Sequence, residues 1–261
     1  MKLKKKNLII LLAVIIIVIA CILLIYQNIG KTSNFKVNDE SSKIKEAESY
    51  GDDITGWLRV EGTNIDLALI ARNNEADISN TDYEYAWTNS YPDENSNHFT
   101  YISHNVRNVS SNPIIGDDSM TYFEQLMSFI YPEFIEKNQF IEFTGPDGKT
   151  SIYRIYGVTL NDETQSSSYY DTFSDKEQEQ YIKKAKKESM YNMNVDVDSS
   201  DMLLTLYTCT RFYGGGNAYS FRVDARKIRE GEKMKYSTVE VNKNYKKIAE
   251  RMKEGEKNEE V

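Results

Sequence analysis

Cys209 closes a run of β-branched and aromatic residues, LLTLYTC, and three glycines (Gly214, Gly215 and Gly216) follow it closely. The chain has one other cysteine, Cys21. A thiol that works as a nucleophile needs a proton-transfer partner and a donor for the oxyanion it creates. His98 and His104, the two histidines, are the candidates for the first role. Six residues on a continuous strand span ~20 Å, so one cysteine can use only one of them. His98 would start its strand, and His104 would end it, where strands open into the loops that collect catalytic groups. His104 is therefore the expected partner, and a hydrogen-bonded structural role is the alternative for either ring. Arg211, Arg222 and Arg226 are the candidates for the second role. Alternation puts Ser220, Arg222, Asp224 and Arg226 on one strand face and Phe221, Val223 and Ala225 on the other. If the first face lines a cleft, Arg222 can reach a reacting carbonyl. The alternative is a surface arginine paired with Asp224 or Asp201, worth little in stability. The glycines free the loop or let backbone approach a ligand closely. There is no clustered His/Cys set, so neither a metal nor a cofactor is expected.

Whether such a thiol stays unpaired depends on where the chain resides. Residues 1–7 carry Lys2, Lys4, Lys5 and Lys6, and residues 8–26 are apolar without a charge. Nineteen residues at helical rise reach about 28 Å, close to the hydrocarbon thickness of a bilayer. The expectation is an uncleaved single-pass anchor, N-terminus cytoplasmic and the bulk of the chain outside the cell membrane. A cleaved signal peptide is the rival, but no small-x-small site ends the run. A lipoprotein box around Cys21 is weaker, because the apolar span continues past it. With Cys21 inside the span, Cys209 has no intramolecular partner. It is either buried and inert or kept for its reactivity.

The elements that must position these groups follow from periodicity. Residues 27–40 read as a polar spacer and residues 41–50 as a short helix capped by Ser41 or Ser42. ITGWLRVEGTNIDLALI gives strand, turn and strand, while residues 72–96, rich in Asn, Asp and Glu, read as irregular. HFTYISHNV is a strand ending near His104. Residues 119–131 carry Met120, Phe123, Leu126, Met127 and Ile130 at helical spacing. QFIEFTGPDGKTSIYRIYGVTL is a hairpin. Ser174 and Glu177 open a capping-box helix over residues 174–190. DMLLTLYTC and AYSFRVDARKI are two more strands, and the charged residues 231–261 form a tail with a solvated helix from Tyr245 to Met252. Six or more strands with inserted helices suggest a mostly antiparallel barrel or sandwich. The net charge of −8 argues against nucleic acid as a partner.

Over residues 41–230 the chain resembles the sortases, and class B in particular. TLYTC (205–209) matches the Thr-Leu-x-Thr-Cys signature, and GWLRVEGTNID (56–66) resembles the early strand-turn-strand. YISHN (101–105) is similar to the histidine strand, SMTYFEQL (119–126) to the helix after it, and the helix before the cysteine strand is the class B feature. Two departures stand out. Ser103 replaces a glycine before the histidine, and Ser220 occupies the customary arginine position, with Arg222 two residues on along the same face.

The resemblance implies a mostly β, closed sortase-type barrel behind one transmembrane helix. It implies a cysteine transpeptidase, in the hydrolase/peptidase class, using Cys209, His104 and Arg222, with Arg211 as competitor for the last role. Thr208, Asn105, Tyr207 and Ser220 are expected to line the cleft, although alternation could turn Tyr207 away. Partners would be secreted proteins bearing a C-terminal sorting motif, cleaved after Thr, and a cell-wall amine. A hydrolytic cysteine peptidase and a membrane-tethered binding domain are the alternatives.

Overall fold

The computed structural model describes residues 12–19, 30–38, 41–51, 53–71, 85–88, 95–105, 122–162, 172–210 and 219–250. Eight strands close a barrel: β1 (Ile54–Val60), β2 (Asp66–Ala71), β3 (Tyr85–Thr88), β4 (His98–Ile102), β5 (Phe140–Thr144), β6 (Thr150–Asp162), β8 (Leu203–Thr210) and β9 (Tyr219–Lys227). Around the barrel the order is β1-β2-β3-β4-β8-β9-β6-β5. The β2–β3 and β4–β8 pairs are parallel and the others antiparallel. Closure removes the sheet edges that an open sheet would expose.

Alternation sorts each strand. Leu58, Leu67, Leu69, Tyr101, Ile141, Ile155, Leu204, Leu206, Phe221 and Val223 point into one core, each large apolar side chain contributing about 1.5–3 kcal/mol on burial. Phe123, Leu126, Met127 and Ile130 join that core as their spacing predicts. The element carrying them, Tyr122–Ile130, is a 3-10 helix rather than an α-helix. Gly56 lies at a register shift in β1 with φ 152°. A Cβ there would meet the Thr144 carbonyl oxygen at 2.4 Å, so only glycine lets β1 and β5 close.

Two layers cover the outside. Helix α1 (Ser41–Ala47) packs on β1 and β2, and its Ala47 joins Ile54, Trp57, Ala68, Ile70, Trp87, Ile102 and Tyr207 in an outer apolar cluster. A short α2 (Pro132–Ile135) follows the 3-10 helix. Helix α3 (Asp175–Glu188) starts at the expected capping box, in which Ser174 Oγ accepts from the Glu177 N–H and the Glu177 carboxylate accepts from the Ser174 N–H. It lies over β6 through Gln178, Ile182 and Ala185.

Two readings of the sequence need correction. The stretch 72–96 contains β3, a four-residue strand that the surrounding Asn and Asp obscure. The expected tail contains β10 (Val239–Val241), paired with β7 (Tyr191–Met193), and helical residues 243–250, whose Ile248 is buried. Of the segment read as a spacer, residues 30–38 are described and are held to the domain: Thr32 bridges Lys235, the Ser33 N–H donates to the Met234 carbonyl, and the Tyr236 N–H donates to the Lys31 carbonyl. Residues 12–19 are helical, and among the described residues no helix is long and apolar enough to cross a membrane.

Candidate active site

Cross-strand register brings the chemistry together. Ile70, Trp87, Ile102, Tyr207 and Arg222 form one continuous row of partners across β2, β3, β4, β8 and β9. Their side chains lie on the outer face of the barrel, since the intervening Leu206 and Val223 point inward. The next row, one pleat towards the end of β8, is where Cys209 pairs with Ser220. The parallel β4–β8 register ends at the Ile102–Tyr207 pair, and His104 and Cys209 each stand two residues past it, at the same end of adjacent strands. The Ser103 N–H donates to the Tyr207 carbonyl at 3.3 Å, and Thr208 Oγ1 donates to the Ser103 carbonyl at 2.8 Å, so the two strands stay together up to that point. Cys209 is half-buried and not in a disulfide, and His104 is half-buried. The His104 ring lies 5.0 Å, centroid to centroid, from the Trp87 indole.

His98 sits elsewhere. It is fully buried, with Nε2 2.8 Å from Thr205 Oγ1 and its ring packed against both Phe173 and Tyr181, which also meet each other. It starts β4 under α3, four pleated residues below Ile102, and is part of the packing there.

Arg222 shares the face of Cys209 but not its row. Its Nε donates to Asp224 at 2.8 Å, one Nη2 contact reaches Glu188 at 3.4 Å, and the guanidinium lies over the Tyr181 ring. Asp224, fully buried, also accepts from Tyr181 Oη at 2.6 Å and Thr205 Oγ1 at 3.0 Å. Burial works against the Arg222 charge, but Asp224, Tyr181 and Glu188 outweigh it and raise its pKa above the ordinary arginine value. Burial likewise pushes the Tyr181 hydroxyl far up, so it remains a donor. The expected alternative of an Arg222–Asp224 pair is thus realised, but as a buried pair rather than a surface one. A guanidinium carries five N–H donors. Two are used here, and the others are uncommitted among the described residues. Arg211 and Gly214, Gly215 and Gly216 lie outside the described residues.

The expected cleft residues divide. Tyr207 and Ser220 are on the Cys209 face, Tyr207 in the outer cluster against which Cys209 packs. Thr208 is a correction: it is fully buried, on the opposite side of the strand, and bonded to the Ser103 carbonyl. Alternation forces this, because Thr208 directly precedes Cys209. Asn105 is buried, and neither its amide oxygen nor its nitrogen has a hydrogen-bond partner among the described residues. Sequence reasoning missed Trp87, Tyr181 and Glu188. Tyr85-Ala86-Trp87-Thr88 was a visible β-prone run, whereas nothing local marks Tyr181 and Glu188. No group of three or more His, Cys, Asp or Glu arranged to hold a metal occurs among the described residues.

The barrel and its thiol–imidazole row can be compared with known proteins. No protein-family model matches the chain. Sortase B of Staphylococcus aureus is 25% identical over 178 residues, covering 66% of this chain and 69% of that protein. Clostridium perfringens sortase B has the same fold, with a TM-score of 0.57 at 23% identity, covering 71% of this chain and 99% of that one. S. aureus sortase B in complex with substrate matches with a TM-score of 0.58 at 20% identity over 73% of this chain and 87% of that one. Fold and sequence similarity together support a sortase-family cysteine transpeptidase. Within that family the similarities are to sortase B proteins, and the chain resembles class B sortases in both fold and sequence.

Proposed function

We propose that the protein is a membrane-anchored transpeptidase that cleaves a C-terminal sorting motif of secreted proteins after Thr and joins it to a cell-wall amine. The observation that carries this reading is the β4–β8 register, which supports His104 and Cys209 acting on one reacting centre. Cys209 Sγ, its proton passed to His104, attacks the Thr carbonyl, and the oxyanion is stabilised by backbone N–H groups and the N–H donors of Arg222. His104 gives a proton to the leaving amine as the C–N bond breaks, leaving a thioacyl enzyme. An incoming amine loses its proton to His104, attacks the thioester and releases the Cys209 thiol. The domain would work outside the cell, with residues 8–26 as anchor. Sortase B structures with substrate (from S. aureus) and with triglycine support a peptide donor and an amine acceptor of this kind.

Arg222 stands one row, ~6–7 Å, from Cys209 along the strand, and its guanidinium is turned towards Asp224 and Glu188, so serving the oxyanion requires a rotamer that gives up both contacts. The test is product analysis of the enzyme with a sorting-peptide library, with and without an added oligoglycine amine. Ligated product that depends on the amine supports transpeptidation. Hydrolysis alone, unchanged by the amine, would move the protein to the hydrolytic peptidases.

A further inference from the structure

His104 stands beyond the last β4–β8 partner pair, so its ring is not fixed by the ladder that fixes Ile102. Trp87, on the other neighbouring strand, borders the ring. Trp87 pairs with Ile102, and His104 lies two residues past Ile102, on the diagonal that long aromatic side chains reach. The rings are 5.0 Å apart and inclined by 55°. The indole is itself immobilised: it is 4% exposed and clustered with Ile70, Ile102 and Tyr207. Its Nε1–H is buried without a hydrogen-bond partner among the described residues. Unmet donors are costly in a core, and phenylalanine would avoid that cost. What the indole supplies over a phenyl ring is a wider flat face, and His104 is what that face meets.

We propose that Trp87 is a positioning residue: it holds the His104 imidazole at the angle from which it exchanges protons above Cys209. The proposal rests on the transpeptidase reading for its catalytic consequence, while the contact itself can be tested without activity. Displacing a reacting group by ~1 Å costs about 10²-fold in rate. Trp87→Leu should therefore lower kcat by about 10–100-fold with KM little changed, and Trp87→Phe, with its narrower face, should recover only part of that loss. Trp57→Leu is the control, since Trp57 belongs to the same apolar cluster but hydrogen-bonds Asp66 on the far side of it. It should lower thermal stability as Trp87→Leu does and leave kcat close to wild type.

The second arm needs neither turnover nor a foldable Trp87 variant. In a Trp57→Phe background Trp87 is the sole indole, and a neighbouring imidazole quenches indole emission. His104→Ala in that background should brighten the emission, and His98→Gln should not. Unchanged emission on removing His104 would overturn the contact. Equal kcat losses in Trp87→Leu and Trp57→Leu, or no recovery with Trp87→Phe, would overturn the positioning role. If the wild type forms no thioacyl product at all, the transpeptidase reading fails while the emission result still decides the contact.

Discussion

Two histidines and one guanidinium on the same barrel wall have different residue-scale fates. His98, enclosed by Phe173 and Tyr181, is a packing residue, so His98→Ala should cost on the order of 3 kcal/mol in urea unfolding, as large aromatic deletions do. The folded fraction should retain most of its kcat. His104→Ala should reverse that pattern, with near-normal unfolding and almost no turnover. Arg222 combines both roles. Removing it leaves Asp224 buried without its cation, and breaking a buried pair in this way costs about 3–5 kcal/mol. Arg222→Ala should thus lower stability as well as kcat, the latter by about 10²–10³ if it serves the oxyanion. Arg222→Ala/Asp224→Asn separates the two, because it relieves the unpaired carboxylate without restoring the donor. Recovery of stability without kcat is the expected outcome, measured by melts and steady-state kinetics. A large kcat loss confined to Arg211→Ala would transfer the role to that residue.

At the scale of elements, α3 is the lid over the Arg222–Asp224 layer, and its capping box sets how firmly it closes. Ser174→Ala should cost about 1 kcal/mol, read by chemical unfolding, and Tyr181→Phe about 1.5–3 kcal/mol because its hydroxyl donates to a carboxylate. The strands and this helix were legible because their signals are local: period-two alternation in LLTLYTC and YSFRVDARK, Ser174 with Glu177, and Gly-Pro-Asp-Gly between two β runs. Cys209 and His104 were singled out on the same kind of signal, each standing at or just past the end of an alternating run. Trp87 was not. Its strand is four residues long, and its meaning arises from pairing with Ile102, which no local pattern encodes. Thr208 was misread because its neighbour in sequence is on the opposite face in space. Its hydroxyl serves the strand that carries His104.

At the scale of the whole molecule, the two segments read as spacer and tail are stitched together at the barrel end remote from Cys209. Glu61 is the hub: it accepts from Ser33 Oγ, Tyr236 Oη and the Gln139 and Phe140 N–H groups. The Tyr236 contact joins residues 175 apart in the chain, beyond any windowed pattern. Burial raises the Glu61 pKa despite these donors. The folded chain therefore holds this proton to higher pH than the unfolded chain, and the associated stability is fully present below the unfolded value of 4.5 and lost as pH rises through the folded one. Relative to Glu61→Gln, wild type should gain stability as pH falls towards 4.5, followed by urea melts across that range. A difference independent of pH would remove the carboxylate from the account. Gly30 packs so closely on the Tyr236 carbonyl that a Cβ would stand 2.0 Å from it. Gly30→Val should accordingly speed hydrogen exchange at the Ser33 and Tyr236 amides.

The central claim is that Cys209, served by His104, carries an acyl group from one peptide to an amine. Intact-mass spectrometry of the enzyme mixed with sorting peptides, quenched before amine is added, tests it directly. The expected result is one adduct equal in mass to the N-terminal peptide fragment, located on Cys209, discharged by the amine and missing in Cys209→Ala. Cleavage by Cys209→Ala at the wild-type rate, or an adduct on any other residue, would contradict it.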